Sequence, residues 1–113
     1  MRMNDRETKV GRRNQILYAL GLVQTDDFRS SDIEEIVRRE FPAGTRQKTL
    51  NIGGLLSALA EEVDPVIRRT VKGDQYQFSD PKWRMCLRAM LYKDPEGTER
   101  VFRRDMSGVS AVS

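Results

Sequence analysis

The apolar positions of this chain leave helical spacing at Asp64-Pro65 and resume it only after Asp80-Pro81, and the first of these switches restricts the fold more than any other feature. Before it, apolar residues recur at helical spacing. After it they alternate, as the residues of a half-buried strand do. The first helical stretch spans residues 12–23, with Ile16, Leu17, Leu20 and Val23 on one face and Gly21 weakening its end. Gln24 to Arg29 then reads as a connection in which Phe28 is the only large apolar side chain, placed so that a short strand around it can pair with a later edge. Ser31-Asp32-Ile33-Glu34 has the form of a capping box, and Ile33, Ile36, Val37 and Phe41 carry the second helix from it to Pro42. A third helix is expected over residues 46–62 on Ile52, Leu55, Leu56, Leu59 and Val63. Within it, Gly53-Gly54 costs about 1 kcal/mol per glycine. That cost points to close packing against a neighbouring helix, or to a break with the helix starting only near Asn51.

Beyond the switch, residues 66–71 alternate imperfectly, with Ile67 and Val71 on one face. Residues 75–79 alternate cleanly, with Tyr76 and Phe78 inward. Gly73-Asp74 between them fits a two-residue type II′ turn. Asp80-Pro81 is an N-cap followed by proline at the first helical position. Trp83, Cys86, Leu87, Met90 and Leu91 form the stripe of a fourth helix ending near Lys93. The chain therefore divides into a flexible N-terminal arm (residues 1–11), one domain (12–93) and a disordered tail or linker (94–113).

The order helix, helix, helix, hairpin, helix gives an α+β, mostly helical domain. Over residues 12–92 it resembles the winged helix-turn-helix superfamily: a three-helix core, a β-hairpin wing and a C-terminal helix. The segment Tyr76-Gln77-Phe78-Ser79-Asp80-Pro81-Lys82-Trp83 is also similar to the end of winged helix domains appended to P-loop ATPases of the STAND and archaeal types. There an aromatic strand runs into Asp-Pro and a helix rich in large apolar and basic residues. That likeness implies contacts between proteins or domains.

Composition narrows the function. The chain has 113 residues, one cysteine and no histidine. An internal disulfide is impossible, a zinc site is not expected, and the usual general base near neutral pH is missing. Nothing approaches the roughly 18 apolar residues of a membrane span, and the charged N-terminus lacks the apolar core of a signal peptide. A cytoplasmic protein, nucleoid-associated if it binds DNA, is the expectation, with no cofactor and no enzymatic activity. Lys48-Thr49 sits where a P-loop would end, but Pro42 and Gln47 stand where that motif needs glycine. Cys86 is expected as a packing residue, because no cationic neighbour or helix N-terminus is in place to activate it.

The net charge of +3 is mild, so its placement matters more than its size. Thr45 to Asn51 reads Thr-Arg-Gln-Lys-Thr-Leu-Asn, and no acidic residue occurs from Phe41 to Ala60. As the start of a recognition helix, Arg46, Gln47, Lys48, Thr49 and Asn51 have the side chains that meet base edges and phosphates. Arg68, Arg69 and Lys72 on the wing are suited to the adjacent backbone or minor groove. Arg2, Arg6, Lys9, Arg12 and Arg13 at the N-terminus are diluted by Asp5 and Glu7 and read as a solubilising arm. Double-stranded DNA is thus the expected partner, in transcription regulation or in a mobile-element or defence system. The alternative is a protein-interaction winged helix, a homodimer or a domain docked to a larger ATPase assembly, using Trp83, Met85, Met90, Leu91 and Tyr92.

Overall fold

The computed structural model describes residues 5–46 and 49–104, with side chains from residue 11 onward. Among them the order is α1 (Asp5–Leu20), β1 (Asp27–Phe28), α2 (Ser30–Glu40), α3 (Ile52–Ala60), β2 (Ile67–Arg69), β3 (Tyr76–Phe78), α4 (Lys82–Met90), β4 (Leu91–Lys93) and β5 (Val101–Arg103). The chain is α+β, with a three-stranded antiparallel sheet ordered β1–β3–β2 and a two-stranded antiparallel ribbon, β4–β5.

The core lies where α1, α2 and α3 turn their apolar stripes toward one another and toward the sheet. Ile16 and Leu20 from α1, Ile33 and Val37 from α2, Leu56 from α3 and Ile67 from β2 are all fully buried. α1 begins seven residues before the expected position, at Asp5. It closes with a tight last turn in which the Gly21 amide donates to the Tyr18 carbonyl at 3.1 Å. A Cβ at Gly21 would stand 3.1 Å from the backbone nitrogen of Arg88 and 3.5 Å from its Cα. The absent side chain therefore lets α1 and α4 approach backbone to backbone. Gly21→Ala is expected to destabilise the fold by about 1–3 kcal/mol, the usual cost of overpacking. It should lower the urea midpoint without changing the slope.

α2 starts two residues earlier than its sequence signal, with Arg29 and not Ser31 at the N-cap. Phe28 is buried in β1, so Arg29 is the last extended residue (φ −105°, ψ 164°), and its amide donates to Asp32 Oδ2 at 2.9 Å. Glu34, expected in the capping box, instead accepts from Arg38 at 3.2 Å one turn on.

α3 is much shorter than expected and follows the alternative reading. Asn51 adopts the left-handed conformation (φ 57°, ψ 37°), which ends any helical run reaching it; asparagine tolerates this region better than most side chains. Leu50, 5% exposed, is tucked into the core. The glycine pair does not serve close helix packing. A Cβ at Gly53 would meet Ser30 only at ordinary contact distance, 3.9 Å. A Cβ at Gly54 would collide with the Asn51 side chain, folded back over the first turn, at 2.6 Å from its Oδ1.

The sheet pairs as its alternation requires: Ile67 opposite Phe78, Arg69 opposite Tyr76, and Phe28 opposite Tyr76 on the other side. The expected short strand around Phe28 is present. The hairpin loop is longer than two residues. Thr70 N–H donates to Gln75 O, and Gly73 N–H donates to Thr70 O, both at 2.9 Å. A four-residue loop, residues 71–74, therefore closes the hairpin, with Gly73 taking the positive φ of 78°.

Asp80 caps α4 as expected, its Oδ1 accepting from the Lys82 amide at 3.0 Å. Leu87 is buried, whereas Trp83, Cys86 and Met90 are half-buried. The helix stops at Met90, because Leu91 is already extended (φ −114°, ψ 144°). The expected tail is thus corrected over its first eleven residues. Leu91 to Lys93 pairs with Val101 to Arg103, and Leu91 and Val101 pack against the core.

Candidate nucleic-acid interface

The loop between α2 and α3 is held at its start by groups from three other places in the chain. Thr45, 4% exposed, donates its hydroxyl to the Phe41 carbonyl at 2.7 Å. Arg38 donates to the Thr45 carbonyl at 2.6 Å, and Arg12 to the Gly44 carbonyl at 2.9 Å. The Glu99 carboxylate, from the ribbon loop, accepts from the Ala43 and Gly44 amides, both at 2.8 Å. Burial, then the nearby Arg38 charge, lowers the Arg12 pKa; Glu99 opposes the shift. A guanidinium remains charged regardless. Glu99 itself sits at φ 63°, a conformation that costs a non-glycine residue about 1–2 kcal/mol. Two charge-assisted hydrogen bonds repay such a cost. Glu99→Gln keeps the shape but offers one acceptor oxygen to two amide donors. One bond is replaced by a donor–donor contact and the other loses its charge, so the substitution is expected to cost about 1–3 kcal/mol. Chemical denaturation measures it, and amide exchange at Ala43 and Gly44 should rise.

Arg46 and Thr49 follow in the loop, both exposed, and Asn51 precedes α3. They are therefore loop residues, not the opening turns of a helix, which corrects the expectation. Gln47 and Lys48 lie outside the described residues. α3 itself, Ile-Gly-Gly-Leu-Leu-Ser-Ala-Leu-Ala, carries no charged side chain. Its one polar side chain, Ser57, is engaged with the Tyr76 hydroxyl at 2.9 Å and with Arg69.

On the hairpin, Arg68 is exposed opposite Gln77, and Lys72 is exposed in the loop beside a fully exposed Val71. Arg69 is turned the other way: it lies over the Tyr76 ring, 5.4 Å from its centroid, and ties the hairpin to α3 through Ser57. Among the described residues, Arg46, Arg68 and Lys72 have no carboxylate within salt-bridge distance. Arg13, Arg38, Arg39, Arg84 and Lys93 each have one, whereas Arg29, Lys82, Arg88, Arg100, Arg103 and Arg104 also have none among the described residues. Arg46, Arg68 and Lys72 are distinguished from these by their place on the loop and the hairpin. No hydrogen bond or ion pair among the described residues joins Arg46, Thr49 or Asn51 to the hairpin.

The residues expected at a protein interface are dispersed. Trp83, Met90, Leu91 and Tyr92 are half-buried, and Leu91 belongs to the core side of the ribbon. Met85, 76% exposed, is the one that reaches out from α4. Sequence reasoning missed Glu99, Phe102 and Arg104. The signal was there: Asp94-Pro95-Glu96-Gly97 is a turn sequence, flanked by Leu91-Tyr92-Lys93 and by Val101-Phe102-Arg103.

The ribbon is fastened by carboxylates. Burial pushes the Glu40 pKa up, but hydrogen bonds and charge from Lys93 (3.0 Å) and Arg39 (3.3 Å) outweigh it, so the net shift is down. The Thr98 hydroxyl and the Glu96 amide lower that of Asp94. A carboxylate with a lowered folded-state pKa stabilises at neutral pH, and the effect is lost as pH falls through that pKa. The urea midpoint is therefore expected to fall below about pH 4, and Glu40→Gln should flatten that acid limb.

No helix among the described residues is long and apolar enough to cross a membrane. No protein-family model, curated protein or solved structure matches the chain.

Proposed function

We propose that this chain is a winged helix-turn-helix domain that binds double-stranded DNA, chiefly through its phosphates. Support for the fold comes from the order α1-β1-α2-α3-β2-β3 with the sheet arranged β1–β3–β2, so that the hairpin follows α3 directly, as a wing does. The observation that carries the function is the exposure of Arg46, Arg68 and Lys72, none with a carboxylate partner among the described residues, on the loop before α3 and on the hairpin after it. Phosphate is the partner such cations lack. The uncharged α3 favours close approach to the groove over dense base reading, so Asn51 and Gln47 are the residues left to read sequence. The domain acts as a binding module, without cofactor, in transcription regulation or in a mobile-element or defence system of the cytoplasm. One such module buries little surface, so specificity calls for a dimer or tandem sites.

The test is fluorescence anisotropy with a random-sequence duplex at several salt concentrations. Affinity should fall steeply with salt, with a log–log slope near −0.9 per phosphate contacted. Absence of binding at low salt would overturn this reading. A second one, docking of α4 to a partner protein or to a second copy, is favoured by the exposure of Met85. Met85→Glu would then abolish association while leaving duplex affinity unchanged.

A further inference from the structure

The β4–β5 ribbon has two unlike faces. Leu91 and Val101 pack against the core, and Lys93 reaches back to Glu40 and over the Phe41 ring at 5.6 Å. Alternation therefore turns Tyr92 and Phe102, which sit opposite each other, to the outside. Their rings lie 5.8 Å apart at an interplanar angle of 39°. Phe102 is 38% exposed. Arg100 and Arg104 are exposed and share the parity of Phe102, and the Arg104 guanidinium lies over the Tyr92 ring at 5.0 Å. The outer face of this strand thus reads cation, aromatic, cation. Asp94, the acid at the turn end of that face, accepts from the Glu96 amide at 2.9 Å and from the Thr98 hydroxyl, and its charge also faces Arg100 without an ion-pair contact.

We propose that this outer face binds a single strand of nucleic acid, with a base stacked on Phe102 beside Tyr92 and phosphates drawn to Arg100 and Arg104. Aromatic side chains flanked by cations suit unpaired bases, because every base offers a π-face while a duplex keeps its faces stacked. Charge argues against a second copy. A two-fold interface sets a patch against itself, and here two arginines would meet two arginines. An acidic peptide satisfies the arginines but leaves the ring faces with little to do. The site uses none of Arg46, Arg68 or Lys72, so it stands or falls separately from the duplex-binding surface.

The experiment is anisotropy with a fluorescein-labelled thymidine oligomer of about 12 nucleotides, within the span such sites cover. The full chain is used, with duplex titrated in parallel. Phe102→Leu retains an apolar side chain of similar size but removes the π-face. It should weaken oligomer binding about ten-fold and leave duplex affinity unchanged, with only the small fall in urea midpoint that one lost ring pair carries, and Phe102→Tyr should restore both. Arg100→Ala with Arg104→Ala should reduce the oligomer salt slope by about 1.4, two phosphates at roughly 0.7 each. Failure of the wild-type chain to bind the oligomer at low salt overturns the proposal, as does an unchanged affinity in Phe102→Leu. Equal loss of oligomer and duplex binding in that variant also overturns it, because the ribbon would then be part of the duplex surface. So does a wild-type chain that is dimeric in sedimentation equilibrium and becomes monomeric in Phe102→Leu with oligomer binding intact.

Discussion

With Arg46, Arg68 and Lys72 replaced together by alanine, duplex DNA binding should lose most of its salt dependence. Three phosphate contacts contribute about 2.7 to the log–log slope. Between 50 and 200 mM salt the wild-type chain should therefore lose roughly 40-fold more affinity than the variant. The comparison is clean because these side chains are exposed and, among the described residues, have no carboxylate within salt-bridge distance. Substitutions of that kind leave stability within about 0.5 kcal/mol. Arg69 must be kept out of the set. It lies over Tyr76 and binds Ser57, so Arg69→Ala loosens the hairpin from α3 and confounds charge with structure. If the triple variant keeps the wild-type slope, the phosphates are met elsewhere and the loop and hairpin are not the DNA surface.

What sequence made legible here, and what it hid, follow from how far each signal reaches. Period alone found the apolar faces of α1, α2 and α4, because Ile16, Ile33 and Leu87 face one core and repeat at helical spacing. The hairpin was visible for the same reason at period two. Local chemistry found the Asp80 cap, where the interacting groups are two residues apart. The start of α3 was not fixed by any local rule. Arg46 to Leu50 suits a helix, and it is the left-handed Asn51 and the burial of Leu50 that end the run. Glu99 was invisible because its partners, Ala43 and Gly44, lie more than fifty residues away. The ribbon was missed for a different reason: its strands have three residues each, too few for a period to stand out from a polar background. The candidate DNA surface was legible as a run of residue types, but whether those residues paired with carboxylates was not.

Phe28→Ala should cost about 3–5 kcal/mol, the range for truncating a buried aromatic residue. That is a large share of the roughly 5–15 kcal/mol available to a domain of this size. Phe28 is 1% exposed and lies 6.5 Å from the Tyr76 ring and 5.5 Å from the Phe78 ring. β1 consists of Asp27 and Phe28 only, so the side chain is what fastens this strand to β3. Its loss would leave β2–β3 as a two-stranded hairpin, a unit marginal on its own in water. It would also free Arg29, whose extended backbone sets the start of α2. Phe28→Leu separates filling from stacking. It retains most of the apolar burial but gives up two ring pairs at about 0.5–1.5 kcal/mol each, so it should cost about 1–3 kcal/mol. Urea unfolding followed by circular dichroism measures both. A pair of near-wild-type midpoints would mean that Phe28 is not in the core, and that the sheet is not held along its β1 edge as described. An equal, large loss in both would mean that ring geometry, rather than volume, joins β1 to the hairpin.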